Sequence, residues 1–376
     1  MRPDTGWHGA RLLAALYLAL LTVASPAATV EQQTLEHLDR IRAIKAGADR
    51  KATERYNRQM DEAWKFFTAN KGAVLPVLRR ELSMELRKGE RNQMVLLDIG
   101  YFLRLQAEAP DKELGRRALL ALDATAEVVR LNQQQLFKFA HAVAPDRDPA
   151  MLGFLDRVFL RGSVTTFIPQ HALPLDETLV CVFLYGIYGE GAEGHLRSML
   201  RDRSLARRII EILIWIGSPD SVEEVSAAMV AARDYETFVR GTAFMMKAGG
   251  PRGRAMMLAL NPGDFDARSR EYYGKVRRDI EATAYELLRG QFGRFPGDAR
   301  LGDGELKRRL SAMHANYGKD DRTSPEAVVN SGLPAAFLIG ELTRIRARMF
   351  HRVSDEALTD VVVTNALLNT LRYRGK

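Results

Sequence analysis

Apolar positions recur along this chain at spacings of three and four, in short blocks broken by glycine, proline and aspartate. Leu35, Leu38, Ile41 and Ile44, then Tyr56, Met60, Trp64 and Phe67, mark amphipathic helices within residues 31–70, with a break near Gly47. Pro76 falls where the first turn of a helix accepts proline, and Leu78, Leu82 and Leu86 run down one face of that helix until Gly89 ends it. Asn92 is placed to cap the next helix, which carries Leu96, Ile99, Leu103 and Leu105 and stops at Pro110.

From there a unit returns about every 30 to 45 residues: an apolar helix, a turn rich in Gly, Pro and Asp, then a second, amphipathic helix. The turns fall at Pro110-Asp111, Pro145-Asp146, Gly189-Glu190-Gly191, Gly217-Ser218-Pro219-Asp220 and Gly249-Gly250-Pro251. The pattern is clearest over 178–260. Phe183, Leu184 and Ile187 lead to Gly189, with Leu196 and Leu200 beyond it; Leu213, Trp215 and Ile216 lead to Gly217, with Val222, Val225 and Met229 beyond; Phe244 and Met245 lead to Gly249, followed by Met257 and Leu260. Glycine is expected to close each first helix with a left-handed cap, and Pro219, with Asp220 or Ser221 behind it, to start a second helix. One such hairpin cannot cover its own apolar face, so the units must stack. The expectation is an all-α chain, an α-solenoid of helical hairpins with a long binding surface.

These turns and helix lengths resemble HEAT-type repeats, well over 178–260 and loosely over 92–177. The resemblance implies an architecture and brings no active site with it. The ladder of Asp and basic residues that locks neighbouring units in such arrays is not evident along the sequence. The organisation read from it is a helical N-terminal cap over 28–91, repeats over 92–260, an insertion over 261–332 and capping helices over 333–376. The insertion comprises a charged helix over about 267–288 and loops around a second, basic helix; loops this long inside an array are usually functional or mobile. Phe337, Leu338, Ile345, Met349, Leu358, Val362, Leu367 and Leu371 supply the apolar face of the last segment.

The first residues change the expected compartment. Arg2 and Arg11 precede an apolar run from Leu12 to Ala24, and Ser25-Pro26-Ala27 follows it, which is the pattern of a cleaved secretory signal over 1–27. The run is shorter than the roughly 20 residues a spanning helix needs, so the periplasm is expected, with inner-membrane anchoring by an uncleaved signal as the alternative. The single cysteine, Cys181, excludes an intramolecular disulfide and sits in an apolar segment as a buried thiol. Without residues 1–27 the chain keeps 53 Lys+Arg against 46 Asp+Glu, a net charge of +7. An exported basic protein meets anionic envelope polymers and lipid surfaces rather than nucleic acid.

Candidate chemistry is sparse. Gly189-Glu190-Gly191-Ala192-Glu193-Gly194 is a literal GxGxxG, but apolar helices followed by glycine recur at Gly217 and Gly249 without that fingerprint, so it reads as a repeat turn and no cofactor is expected. The seven histidines show no metal-ligand spacing, and no serine lies in a nucleophile-elbow motif. His171 stands between Pro169 and Pro174 with Asp176 near enough to orient it, which suits a general base. The insertion gathers arginine with aromatic residues: Tyr273, Arg277, Arg278, Tyr285 and Arg289 along one helix, then Phe292, Arg294 and Phe295. These are the side chains enriched at binding hot spots, though aromatic residues at helical spacing equally serve packing. The function expected is a periplasmic scaffold or adaptor that holds a protein or peptide through this surface and His171, with a cell-envelope enzyme around His171 and Asp176 as the alternative.

Overall fold

The structure, a computed structural model, describes residues 29–44, 50–106, 108–168, 173–282 and 334–374. The signal expected over 1–27, His171 and the part of the expected insertion beyond residue 282 lie outside them. The described chain is all-α apart from one short antiparallel pair, β1 Thr166–Ile168 and β2 Leu173–Leu175, in which Thr166 faces Leu175 and Ile168 faces Leu173. It divides into two compact units at Val128/Val129, inside the segment that the sequence reads as repeats.

The first unit holds α1 Val30–Arg42, α2 Arg50–Ala69, α3 Lys71–Glu85, a π-helical turn Val95–Ile99 running into α4 Gly100–Arg104, and α5 Ala109–Leu120. Thr29 and Gln32 close a capping box at the start of α1, and Asn92 Oδ1 accepts from the Met94 and Val95 amides, both at 3.1 Å. Pro76 does not begin its helix. It lies inside α3, which starts at Lys71 without a side-chain cap, so the helix forgoes one amide donor there. The unit's main buried ion pair joins Arg79, through Nε at 2.5 Å and Nη2 at 2.8 Å, to Asp111, which is fully buried at the start of α5.

After α6 Glu127–Leu131 at the junction, the second unit runs α7 Gln133–Val143, α8 Pro149–Leu155 with a π-helical turn Asp156–Leu160, the β pair, α9 Glu177–Gly186, α10 Glu190–Met199, α11 Arg203–Ile216, α12 Val222–Ala232, α13 Tyr235–Lys247, α14 Gly250–Ala259, α15 Ala267–Ala282, α16 Ala335–Met349 and α17 Asp355–Arg374. The first helix of each turn-linked pair packs on the next first helix: α9 on α11, and α11 on α13. Each also touches the second helices before and after it, α11 meeting α10 and α12, and α13 meeting α12 and α14. Phe183, Leu184, Ile209, Ile212, Leu213, Phe238, Phe244 and Met245 are buried in this stack, and Cys181 is buried with them as a free thiol.

Four helices of this unit share a start signal not used above. Asp176, Asp202, Asp234 and Asp266 stand just before α9, α11, α13 and α15, and each carboxylate accepts a backbone amide, from Leu179, Ser204, Thr237 and Ser269. The closing glycines are not all alike. Gly189 takes φ +59°, whereas Gly217 is extended at φ −76°, ψ 173°, and is glycine because a Cβ would meet the Leu213 carbonyl oxygen at 2.5 Å and the Phe244 ring at 2.8 Å. Ion pairs of glutamate and arginine link neighbouring helices. Arg208 of α11 binds Glu177 of α9, Arg240 of α13 binds Glu211 of α11 at 2.8 Å, and Arg207 of α11 binds Glu236 of α13; among the second helices, Arg252 of α14 binds Glu223 of α12 at 2.6 Å.

The hairpin α16/α17 lies against the carboxyl ends of the first helices. Arg346, which is 4 % exposed, donates to the Ile216 carbonyl at 2.5 Å and the Gly217 carbonyl at 3.2 Å, and Asn365 donates to the Trp215 carbonyl at 3.0 Å. Asn369 and Arg372 do the same for α13, donating to the carbonyls of Lys247 and Ala248. Removing a helix-start carboxylate tests how far these ends govern stability. Asp234→Ala should lower unfolding free energy by about 1 kcal/mol in urea titration, and Asp234→Ser should recover most of it; an unchanged midpoint for the alanine variant would show that the cap is idle.

Candidate functional site

The second unit opens into a groove of 820 Å³ between α10 and α12. The second helices are not evenly spaced: α12 packs on α14, whereas α10 meets the turn at residues 219–221. That turn is anchored by Glu193 of α10, 5 % exposed, which accepts from the Ser218 amide at 2.7 Å, the Ser218 hydroxyl at 2.9 Å and the Ser221 hydroxyl at 2.7 Å. Arg197, one turn further on, donates to the Asp220 carbonyl at 2.7 Å and faces Glu224 at 3.5 Å. One end of the groove is therefore closed by paired charges. Gly194, Ser198, Ala227 and Ala231 leave the remainder shallow in side chains, and Arg201 and Arg203 stand exposed at its rim.

A second cluster involves His195 of α10, which is not among the residues lining the groove. His195 Nε2 binds the Asp156 carboxylate at 2.8 and 3.0 Å, and the buried Tyr185 hydroxyl donates to the same carboxylate at 2.8 Å. Asp156 opens the π-helical turn after α8, a type of irregularity that re-aims side chains. The bond to Asp156 raises the His195 pKa above its ordinary value, against an opposing desolvation. His195 Nδ1 has no partner among the described residues, and the nearby Ser198 hydroxyl donates to the His195 carbonyl at 2.7 Å rather than to the ring. The arrangement suits an oriented base without a hydroxyl or thiol partner.

The residues that the sequence singles out are distributed differently. Tyr273 is a core residue, 1 % exposed, with its hydroxyl donating to the Met257 carbonyl at 2.6 Å and its ring edge-on to Phe238 and Phe265. Arg277 is half-buried and Arg278 exposed on α15, where Arg278 Nε donates to the Gly274 carbonyl of its own helix at 3.3 Å. Tyr285, Arg289, Phe292, Arg294, Phe295 and His171 lie outside the described residues. Asp176, proposed as the orienting acid for His171, caps α9. The GxGxxG segment follows helix α9 rather than a strand: Gly189 caps α10 while Gly191 and Gly194 lie inside it, so the segment lacks the setting of a dinucleotide fingerprint. Among the described residues no group of three or more His, Cys, Asp or Glu is placed to hold a metal ion, and no helix is long and apolar enough to cross a membrane. Neither the groove nor the Asp156–His195 pair is visible as a motif, because their members are 39 residues apart in the pair and on separate helices in the groove.

No protein-family model, no curated protein and no solved structure matches this chain.

Two histidines give stability opposite dependences on pH. His195, raised by Asp156, contributes stability that is fully present below its unfolded value of about 6.5 and is lost as the pH rises through its folded value. His141, whose Nε2–H donates to the Phe350 carbonyl at 2.8 Å, is pushed down to about 4 by burial, so its contribution is present above about pH 6.5 and lost as the pH falls toward about 4. In thermal unfolding across this range, the gap between wild type and Asp156→Asn should narrow as the pH rises, and His141→Phe should flatten the acid limb. Parallel curves for either variant would show that the corresponding histidine does not titrate with folding.

Proposed function

We propose that this protein is a partner-binding helical-repeat scaffold of the cell envelope, related in architecture to HEAT-type arrays, whose protein or peptide ligand lies in the groove between α10 and α12. The observation that carries the reading is that groove: a shallow, alanine-lined opening between two helices that the Arg197–Glu224 pair ties together at one end. Rigid placement of α10 against the turn after α11, through Glu193 and Arg197, gives a ligand a preformed seat and lowers the ordering cost of binding. The leader from Leu12 to Ala24 supports export to the periplasm, with retention by an uncleaved signal as the variant of the same reading. A second reading, an envelope enzyme, is favoured by the half-exposed His195 held by Asp156. It differs in predicting turnover that His195→Ala abolishes while groove binding persists.

Site-specific photocrosslinking in intact cells tests the scaffold reading. A photoreactive phenylalanine analogue at Ala227, inside the groove, should give a discrete protein or peptide adduct in the periplasmic fraction, and the same analogue at Lys275, on exposed α15, should not. No adduct from Ala227, or the same adducts from both positions, would overturn the reading. The recovered mature chain should begin near residue 28; a chain beginning at Met1 in the membrane fraction would assign it to the anchored form.

A further inference from the structure

We propose that the groove between α10 and α12 selects an acidic peptide segment, recognised by the guanidinium groups of Arg201 and Arg203; this rests on reading the groove as the partner's seat. The argument is one of charge left over. Of the charged residues lining the groove, Glu223 is bound to Arg252 at 2.6 Å, and Glu224 faces Arg197 at 3.5 Å. Asp202, between the two rim arginines, is engaged as well: it caps α11 through the Ser204 amide at 3.1 Å, accepts the Ser204 hydroxyl at 2.6 Å and pairs with Arg161 at 3.1 Å. Arg201 and Arg203 have no carboxylate or carbonyl partner among the described residues, and both are exposed.

Their position sharpens the point. Arg203 is the first residue of α11, whose first turn contains no acidic residue, so its cation sits at the positive pole of a helix of 14 residues. By contrast, α9 and α13 begin with Glu177 and Glu236, and each of these is bound by an arginine of α11. Asp202 already supplies the anion at the start of α11, so what the rim of the groove leaves over is two guanidinium groups without a bound anion of their own. A carboxylate-bearing ligand supplies that anion. The floor specifies the rest: Ala227 and Ala231 lie one turn apart on α12, facing Gly194 and Ser198 on α10, so a peptide backbone can approach closely there while its acidic side chains reach the rim.

A display library of short random peptides, selected on the full chain and followed by fluorescence anisotropy on labelled synthetic winners, tests this. Three proteins are compared: wild type, Ala227→Trp to fill the groove, and Arg201→Glu/Arg203→Glu, all at exposed positions and checked for folding by circular dichroism. Selected peptides should be rich in Asp and Glu. Their affinity should fall about tenfold or more in both variants and decline with added salt. Winners that are neutral or basic, blocked by Ala227→Trp but indifferent to the arginine reversal, would overturn the acidic preference and leave the scaffold reading standing. A library with no winner that Ala227→Trp blocks would overturn both. Vesicles of phosphatidylglycerol form a separate arm: retention that depends on Arg201 and Arg203, with no peptide selected, would assign these arginines to an anionic lipid surface and overturn the proposal.

Discussion

A helix leaves its first four amides and its last four carbonyls without partners inside it, and a helix of 10 residues such as α9 or α10 is therefore made largely of ends. The second unit depends on how those ends are satisfied. At the amino ends the solution is local and repeated, an aspartate before each of α9, α11, α13 and α15. At the carboxyl ends of α11 and α13 it is remote: Arg346, Asn365, Asn369 and Arg372, from helices more than a hundred residues further along, reach the terminal carbonyls. Burying these carbonyls unpaired would cost roughly 1–3 kcal/mol each. The hairpin α16/α17 is accordingly part of the stack's hydrogen bonding.

The same accounting explains an expensive residue. Arg346 is buried with carbonyl and amide acceptors rather than a carboxylate, and desolvation, with the nearby Arg372, lowers its pKa to about 10. It remains a cation at neutral pH, and a cation at the carboxyl end of α11 is favoured by the helix dipole, while Glu193 and Glu190 act in its favour from α10. Charge and hydrogen bonding thus act together at that end. Elsewhere in the stack the Arg–Glu ladder distributes charge between neighbouring helices, and an exposed pair of this kind contributes only a few tenths of a kcal/mol to about 1. Its greater consequence is for recognition: arginines held by a neighbour have little charge to offer a ligand.

The aromatic residues of α15 show where residue type alone is ambiguous. Tyr272 and Tyr273 follow Phe265 in a stretch whose arginine content resembles an interface, yet Tyr273 closes an aromatic cluster with Phe238 and Phe265 beneath the surface. A phenol whose hydroxyl finds a helix-end carbonyl is as well placed inside a protein as at an interface. Arg201 and Arg203, exposed at the groove's rim, sit in a stretch of sequence that looks like any solvated helix boundary.

What the sequence determined by itself is local: that the chain is helical and which faces of its helices are apolar, because periodicity, glycine and proline act on neighbouring residues. The helices that lead to Gly189 and Gly217 follow from that, whereas their starts after Asp176 and Asp202 were not read from it. The pairing of Asp156 with His195, the burial of Tyr273, the ladder across α9, α11 and α13, and the unequal spacing that opens the groove were decided only in three dimensions. Each depends on which helix a side chain meets, and that is set by the volumes packed between helices, a property no single stretch of the chain contains.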